Sequence, residues 1–481
     1  MNRKTLPLCL LVLTLLCSLT ACKSVGVIGG TDGPTAVFVT DGDTENAIVI
    51  GPDGEVTTPE PAVDDADTTE TDAESEVDAA PAPTPDGIPP TPEEPPVPLT
   101  VALLSGAWAE AVRAELPAFE QGNHVVCEVR ELSRDELHDA LAGGTADCDL
   151  IMVHSSGMPE FRRSNALASL SALGYRPDGD FVPAVMDICA DGSTYSLAPW
   201  YANATVLLCN KQSLIASGSS TDRIQSLQNL LSVCKAAKQR GEIGFAYHQT
   251  HEERVTLDFL PILRSFDGWF VDQNGKPSIY TKKFQDAVNF FLELTATGKA
   301  LTNSDLLSAV DSGRAAVGFI RSDWYALSPK SAATYISFPG KETSGGEPHA
   351  TGTCTLWGLG IPAGSQHPEK AERLLEYLTN PNIQRNFLSS GLTPCRYSVL
   401  QDPELQKSYP HYAKLCTALE QSRYVPSLTE WPEMCDILGE ELWKVMAGRK
   451  KVTEALDDAQ KRAEALLAGE PRPDGPAEEV P

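Results

Sequence analysis

The chain of 481 residues is poor in cations, with 38 Lys and Arg against 66 Asp and Glu and a formal net charge of -28. Nucleic acids are held mainly by Lys and Arg that displace the phosphate counterions, and no cluster of such residues occurs in the sequence. Beyond the N-terminus, no apolar run is long enough to cross a bilayer. We therefore expect no nucleic-acid partner and no transmembrane helix in the body of the protein.

Common catalytic motifs are also absent. There is no Gly-x-Ser-x-Gly, no His-Glu-x-x-His and no Gly-x4-Gly-Lys-Ser/Thr sequence. The nearest candidate is the segment His248 to Glu253, where two imidazoles three residues apart could share a metal ion if they were helical. The alternative for this segment is a polar surface, because a complete metal site needs further ligands. We expect neither an enzyme nor a bound metal or cofactor.

The twelve cysteines form no Cys-x-x-Cys pair and no regular spacing. Export would permit disulfides, but nine cysteines remain after those at the N-terminus are set aside, so at least one is unpaired. Several of these, such as Cys127 and Cys209, lie in apolar runs, where a thiol behaves as a small core residue. The sequence predicts no disulfide framework.

The N-terminus has the order of an export signal: Arg3 and Lys4, an apolar run, and small residues before Cys22. The sequence Leu-Thr-Ala-Cys resembles the lipobox of bacterial lipoproteins, whose cysteine is acylated and becomes the mature N-terminus. A short membrane anchor is the alternative, but the apolar run is too short to span a bilayer of about 30 Å. We expect residues 1–21 to be removed, Cys22 to be lipidated, and 22–40 to follow as a short segment.

Two further segments are unlike a folded domain. Residues 41–99 contain 17 Asp and Glu, 12 Pro and no Lys or Arg. Such a composition cannot bury enough apolar surface to offset the entropy of ordering, so we predict a disordered, acidic, Pro-rich linker. Residues 469–481 are predicted to be a disordered tail.

The body begins with alternating strands and helices. Strands are predicted at 99–104, 125–129 and 149–153, with helices through Phe119 and from Arg134 to Ala142. Alternation of this kind builds a largely parallel sheet with its loops at the carboxyl ends of the strands. Trp108 and His154 fall on such loops.

Motifs along the whole body resemble family 1 extracellular solute-binding proteins, the maltose-binding type. They are the Pro-rich strand from Pro199 to Lys211, the Asn-Gly hairpin from Phe266 to Lys276, the small-residue strand Gly313 to Trp324, the strand and helix Trp357 to Leu378, and the helix Val452 to Ala463. No single motif is decisive, and the inference rests on their order and spacing.

The resemblance implies an α/β, two-lobe periplasmic-binding-protein type II-like fold with a hinge and an interlobe cleft. Lobe I would comprise 100–205 and 355–395, and lobe II 206–354 and 396–468, with crossings near 203–208, 354–359 and 393–400. It also implies a monomeric receptor on the extracytoplasmic face of the cell membrane that delivers a small solute, most simply a mono- or oligosaccharide, to ABC permease subunits. A surface sensor or adhesion module and, less favoured, an exported hydrolase remain as alternatives.

Sugar rings stack on aromatic planes while their hydroxyls need polar partners. The resemblance places Trp108, Trp200, Tyr201, Trp324, Trp357 and Trp431 in or beside the cleft, with Trp324 as its floor on lobe II. Packing in a lobe core is the alternative for each of them. The predicted ligand-binding residues are Trp108, His154, Trp200, Asn203, Tyr247, Trp324, Trp357 and Trp431.

Overall fold

The computed structural model describes residues 49–50, 56–57, 95–248, 252–323, 330–341, 351–425 and 428–469. The predicted signal peptide, Cys22, the segment to residue 40, Trp324 and nearly all of the tail lie outside these residues. In the predicted linker, the described residues 49–50 and 56–57 form a short antiparallel pair of strands. The body begins with a strand at Val97, slightly before the predicted boundary.

The strands of the described residues, in chain order, are β1 (Val49–Ile50), β2 (Val56–Thr57), β3 (Val97–Leu104), β4 (Val125–Leu132), β5 (Leu150–His154), β6 (Ala190–Asp191), β7 (Thr194–Tyr195), β8 (Ala198–Asn210), β9 (Ile243–His248), β10 (Lys299–Leu301), β11 (Ala315–Arg321), β12 (Ala333–Ser337), β13 (Thr353–Gly360) and β14 (Arg423–Tyr424).

The α-helices of the described residues are α1 (Ala107–Asn123), α2 (Arg134–Ala142), α3 (Met158–Ser164), α4 (Leu170–Leu173), α5 (Pro183–Cys189), α6 (Lys211–Ala216), α7 (Leu227–Gln239), α8 (Glu252–Ser265), α9 (Lys282–Thr295), α10 (Asn303–Asp311), α11 (Pro368–Leu378), α12 (Pro381–Asn386), α13 (Tyr397–Leu400), α14 (Pro403–Ser408), α15 (Tyr412–Glu420), α16 (Trp431–Met446) and α17 (Val452–Leu467). None of them is both long and apolar enough to cross a membrane.

The predicted alternation of the first part of the body is confirmed. Helix α2 has the predicted bounds because Ser133 caps it: its side chain accepts from the backbone N–H of Glu136, whose carboxylate accepts from the backbone N–H of Ser133. Such a reciprocal cap satisfies two N–H groups that a helix start otherwise leaves without partners. Strand β5 then begins one residue later than predicted and ends at His154.

The body is built on a mixed sheet in the strand order β10-β9-β11-β8-β13-β5-β3-β4. Strand β8 links its two halves. Residues 198–204 of β8 pair antiparallel with β13. Residues 205–210 pair antiparallel with two other strands, β11 and β12. All thirteen residues of β8 are buried. One strand therefore passes from the first lobe to the second, as the predicted crossing near 203–208 requires.

The second lobe has its own apolar core. Helices α7, α8, α9, α16 and α17 pack against β9 and β11 around a cluster of phenylalanines. Phe259 contacts Phe284 and Phe291 with ring centroids 5.9 and 5.6 Å apart. The predicted Asn-Gly hairpin from Phe266 to Lys276 is reduced to a tight turn with a single bridge between Val271 and Pro277.

The buried side chain of Arg396 binds the chain that follows α12 to the first lobe. The Arg396 guanidinium bonds both carboxylate oxygens of Asp178 at 2.8 and 2.9 Å, donates to the Thr379 carbonyl at 2.8 Å and lies over the Phe181 ring. The backbone of Arg396 also bridges to Phe181. These contacts favour a third crossing later in the chain than the predicted 393–400, and the lobe boundaries stay a prediction.

The first lobe also holds a carboxyl group that resists ionisation. Burial and the carboxylate of Glu376 one turn away raise the pKa of Glu372, on helix α11, to about 7. A carboxyl group whose folded-state pKa is raised stabilises the protein below its unfolded pKa, about 4.3, and this stability is lost as pH rises towards 7.

We therefore expect Glu372→Gln to raise the free energy of unfolding at pH 8 by about 1–3 kcal/mol and to have almost no effect at pH 4.5. Thermal unfolding at the two pH values measures the difference. Glu369→Gln, an exposed residue of the same helix, is the control. An equal effect of Glu372→Gln at both pH values would contradict this account.

Candidate functional site on the hinge strands

Five side chains lie together on the strands that join the lobes. Asn203 pairs with Thr355, and Trp357 pairs with Tyr201 on one side and with His154 on the other. Directly opposite residues of antiparallel strands project to the same side of a sheet. His154, Tyr201, Asn203, Thr355 and Trp357 therefore form one surface, which we call the hinge face.

Aromatic rings cover much of the hinge face. Trp108 stacks on Tyr201 with centroids 4.5 Å apart and planes inclined by 25°, and His154 meets Trp357 edge to face at 4.8 Å. Trp108 is the second residue of α1, which begins immediately after Gly106, whose φ of 99° favours glycine. The turn at Gly106 thus brings the indole of Trp108 onto the hinge face.

A polar group from the second lobe lies near these rings. Arg321 binds Asp323 through two contacts, Nε to Oδ1 at 3.1 Å and Nη2 to Oδ2 at 2.6 Å. Burial raises the pKa of the Tyr201 phenol well above its usual value, and the neighbouring carboxylate of Asp323 adds to the rise. The phenol is therefore neutral.

His154 is held as a neutral donor. Burial lowers the pKa of its imidazole well below the usual value, and the positive charges of Arg134 and Arg321 lower it further. The backbone N–H of Ser156 donates to Nδ1 at 3.3 Å, and Oγ of Ser156 lies 2.7 Å from the same nitrogen. With Nδ1 accepting, the proton of the neutral ring is on Nε2, where it can bind an oxygen of a ligand.

A cavity of about 430 Å³ opens beside the hinge face. His154 and Trp357 line it together with Arg134 at the start of α2 and with Pro432 and Glu433 in the first turn of α16. A larger groove, of about 1060 Å³, surrounds Trp269 and Tyr424 and contains none of the predicted ligand-binding residues. The smaller cavity is the better candidate because it adjoins the clustered aromatic and polar groups.

The structure brings four of the predicted residues together, namely Trp108, His154, Asn203 and Trp357. Trp200 lies beside Trp108 but packs edge to face on Phe387 in the first lobe. Trp431 is buried against Phe270 in the core of the second lobe. Tyr247, on β9, stacks along Phe245 and is half buried. Trp324 is outside the described residues, so the predicted floor of the second lobe stays a prediction.

Three members of this region were not predicted: Thr355, Arg321 and Asp323. A signal for Thr355 existed, because it is two residues before Trp357 and a strand presents alternate residues on one face.

The nine cysteines of the described residues are free, which answers the open question of disulfides. Within the same residues no group of three or more potential ligands could hold a metal ion.

Two α/β lobes joined by hinge strands define a two-lobe periplasmic-binding-protein fold. The model of a family described as bacterial extracellular solute-binding protein matches residues 102–385, more than half of the chain. The chain therefore belongs to this family.

Solved structures share the fold. The sugar-binding protein MalE from Xanthomonas citri is 19% identical with a TM-score of 0.68, covering 78% of this chain and 98% of that chain. The cyclic alpha-maltosyl-1,6-maltose binding protein from Arthrobacter globiformis is 18% identical with a TM-score of 0.67, covering 78% of this chain and 100% of that chain. A solute-binding protein from Agrobacterium radiobacter in complex with ribitol is 20% identical with a TM-score of 0.63, covering 77% of this chain and 98% of that chain.

A curated relative from Sinorhizobium fredii is named "Probable amino-acid ABC transporter periplasmic-binding protein y4oP". It is 21% identical over 284 residues, which are 56% of this chain and 63% of the relative. The chain thus spans less than two thirds of the length of this relative.

Proposed function

We propose that the protein is the lipid-anchored, extracytoplasmic receptor of an ABC importer and that it binds a carbohydrate between its lobes. The observation that supports this proposal most is the hinge face, where aromatic planes and neutral polar groups lie side by side. Binding would stabilise the arrangement in which both lobes contact the solute, so the ligand shifts the population towards closure. The permease subunits would then recognise the closed form.

The charges near the hinge face favour a neutral ligand. Arg321 is already engaged by Asp323 through two contacts, so a ligand carboxylate would have to compete with a buried partner for this guanidinium. His154 is neutral and offers a donor, which suits a hydroxyl oxygen. A polyhydroxy compound can use these groups and the aromatic rings together.

An amino-acid ligand is the second candidate, because the curated relative carries that description in its name. Thermal-shift measurements with maltose, ribitol and the common amino acids separate the two. A ligand present at a hundred times its dissociation constant stabilises by about 2.7 kcal/mol. Stabilisation by a saccharide or polyol supports the proposal, whereas stabilisation by amino acids alone would contradict it.

The anchoring of the protein rests on Cys22. We expect Cys22→Ala to lose palmitate labelling and to move from the membrane fraction to the soluble fraction, because a thioether-linked lipid can no longer form. Cys127→Ala, a substitution in the body of the protein, should leave the labelling unchanged. Undiminished labelling of the Cys22→Ala protein would refute lipidation at this residue.

Two other functions use the same fold or the same location. A sensor or adhesion module would also carry a long tether, and a gene neighbourhood with a sensor kinase in place of permease subunits would favour it. An exported hydrolase would turn over the solute that stabilises it. Product analysis after prolonged incubation with that solute tests this last alternative.

A further inference from the structure

The pair of residues at the centre of the hinge face has unused hydrogen-bonding capacity. Oδ1 of Asn203 and Oγ1 of Thr355 are both buried and have no hydrogen-bond partner. These residues face each other across β8 and β13. A buried polar atom without a partner destabilises a protein by about 1–3 kcal/mol, so two of them side by side call for an explanation.

The neighbouring pair shows that the same strands can satisfy such groups internally. Thr205 and Thr353 are each two residues along from Asn203 and Thr355, so they lie on the same side of the sheet. Oγ1 of Thr205 accepts from the Thr353 backbone N–H at 2.7 Å and lies 3.2 Å from Oγ1 of Thr353. Within β8 and β13 the lack of partners is therefore confined to Asn203 and Thr355 and does not follow from strand geometry.

The surrounding contacts fix which atom of Asn203 is left over. The phenol oxygen of Tyr201 lies next to the amide of Asn203 and can accept a hydrogen bond from it. Nδ2 of Asn203 donates to this oxygen at 3.5 Å. Oδ1 is then the remaining atom, an acceptor that needs a donor, while the Thr355 hydroxyl can both donate and accept.

We infer that Asn203 and Thr355 together hold a single hydroxyl group of the ligand, which donates to Oδ1 and accepts from Oγ1. The inference rests on the proposed function and narrows it to a ligand with a free, unmodified hydroxyl at this point. A carboxylate cannot serve, because it has no proton to give to Oδ1. Thr355 thereby becomes a residue that determines specificity.

The test compares two threonines on one strand. Thr355→Val removes the hydroxyl without a partner, and we expect the melting temperature without ligand to rise and the affinity to fall about tenfold or more. Thr353→Val removes a hydroxyl that has a partner, so the melting temperature should fall while the affinity is kept. Thr355→Ser retains a hydroxyl and should retain most of the affinity.

Melting curves of the detergent-solubilised full chain, with and without maltose, ribitol and L-alanine, distinguish the outcomes. If maltose or ribitol stabilises the wild type and Thr355→Val equally, this inference fails while the proposed function stands. If neither stabilises the wild type, both fail. A fall in the ligand-free melting temperature of Thr355→Val would show that the hydroxyl has a partner, and stabilisation by L-alanine that depends on Thr355 would assign an ammonium group instead. Either result would overturn the inference.

Discussion

Trp108→Ala is expected to lower the free energy of unfolding by about 3–5 kcal/mol and the affinity for the ligand about tenfold or more. The indole is 5% exposed and stacks on Tyr201, so its removal leaves a cavity in the first lobe. The same removal exposes the Tyr201 ring, which is part of the hinge face, and takes away a plane on which a sugar could stack.

Chemical denaturation and calorimetric titration separate the two effects. Trp443→Ala is the matched control, because Trp443 is a partly buried indole on α16 that packs against the core of the second lobe. The Trp443→Ala variant should have a lower free energy of unfolding than the wild type. Its affinity for the ligand should be unchanged when it is measured at a temperature where both variants are folded. If Trp108→Ala kept the wild-type affinity, Trp108 would be a packing residue only.

Arg396→Ala is expected to lower the free energy of unfolding by about 2–4 kcal/mol. Arg396 is 4% exposed and joins its own segment to two others, one through Asp178 and the Phe181 ring and the other through the Thr379 carbonyl. Its loss would leave a buried carbonyl without a donor and would expose the Phe181 ring. Equilibrium denaturation in urea measures the change.

Arg385→Ala provides the comparison for Arg396. Arg385 also donates to a carbonyl, that of Ser398 at 2.8 Å, and pairs with Asp402 at 3.2 Å, but its side chain is 33% exposed. Ion pairs near the surface contribute about 0–1 kcal/mol, so this variant should remain close to the wild type. Equal losses for the two arginines would show that burial does not set the difference.

Much of the fold could be predicted because local signals agree with the tertiary structure. The apolar spacing of α1, the Ser133 cap of α2 and the small apolar residues of β11 each define an element on their own. The order of these elements then indicates the two-lobe class. The path after Thr393 could not be predicted, since it depends on long-range contacts such as those of Arg396.

The candidate site was only partly predictable for a related reason. Trp108 lies four residues after the end of β3 and His154 is the last residue of β5, so their place at a carboxyl edge follows from chain order. Thr355 acquires its role only through its pairing with Asn203, which is 152 positions away in the sequence and adjacent across the sheet. Trp431 illustrates the opposite case: an aromatic beside a predicted cleft is buried against Phe270, and only the packing of α16 shows this.

A crystal structure of the protein with the saccharide or polyol that stabilises it most tests the central claim directly. The account predicts that the ligand lies against the Trp108–Tyr201 pair, with one hydroxyl between Asn203 and Thr355 and an oxygen near Nε2 of His154. Density for the ligand in the groove around Trp269 and Tyr424, with the hinge face unoccupied, would contradict it.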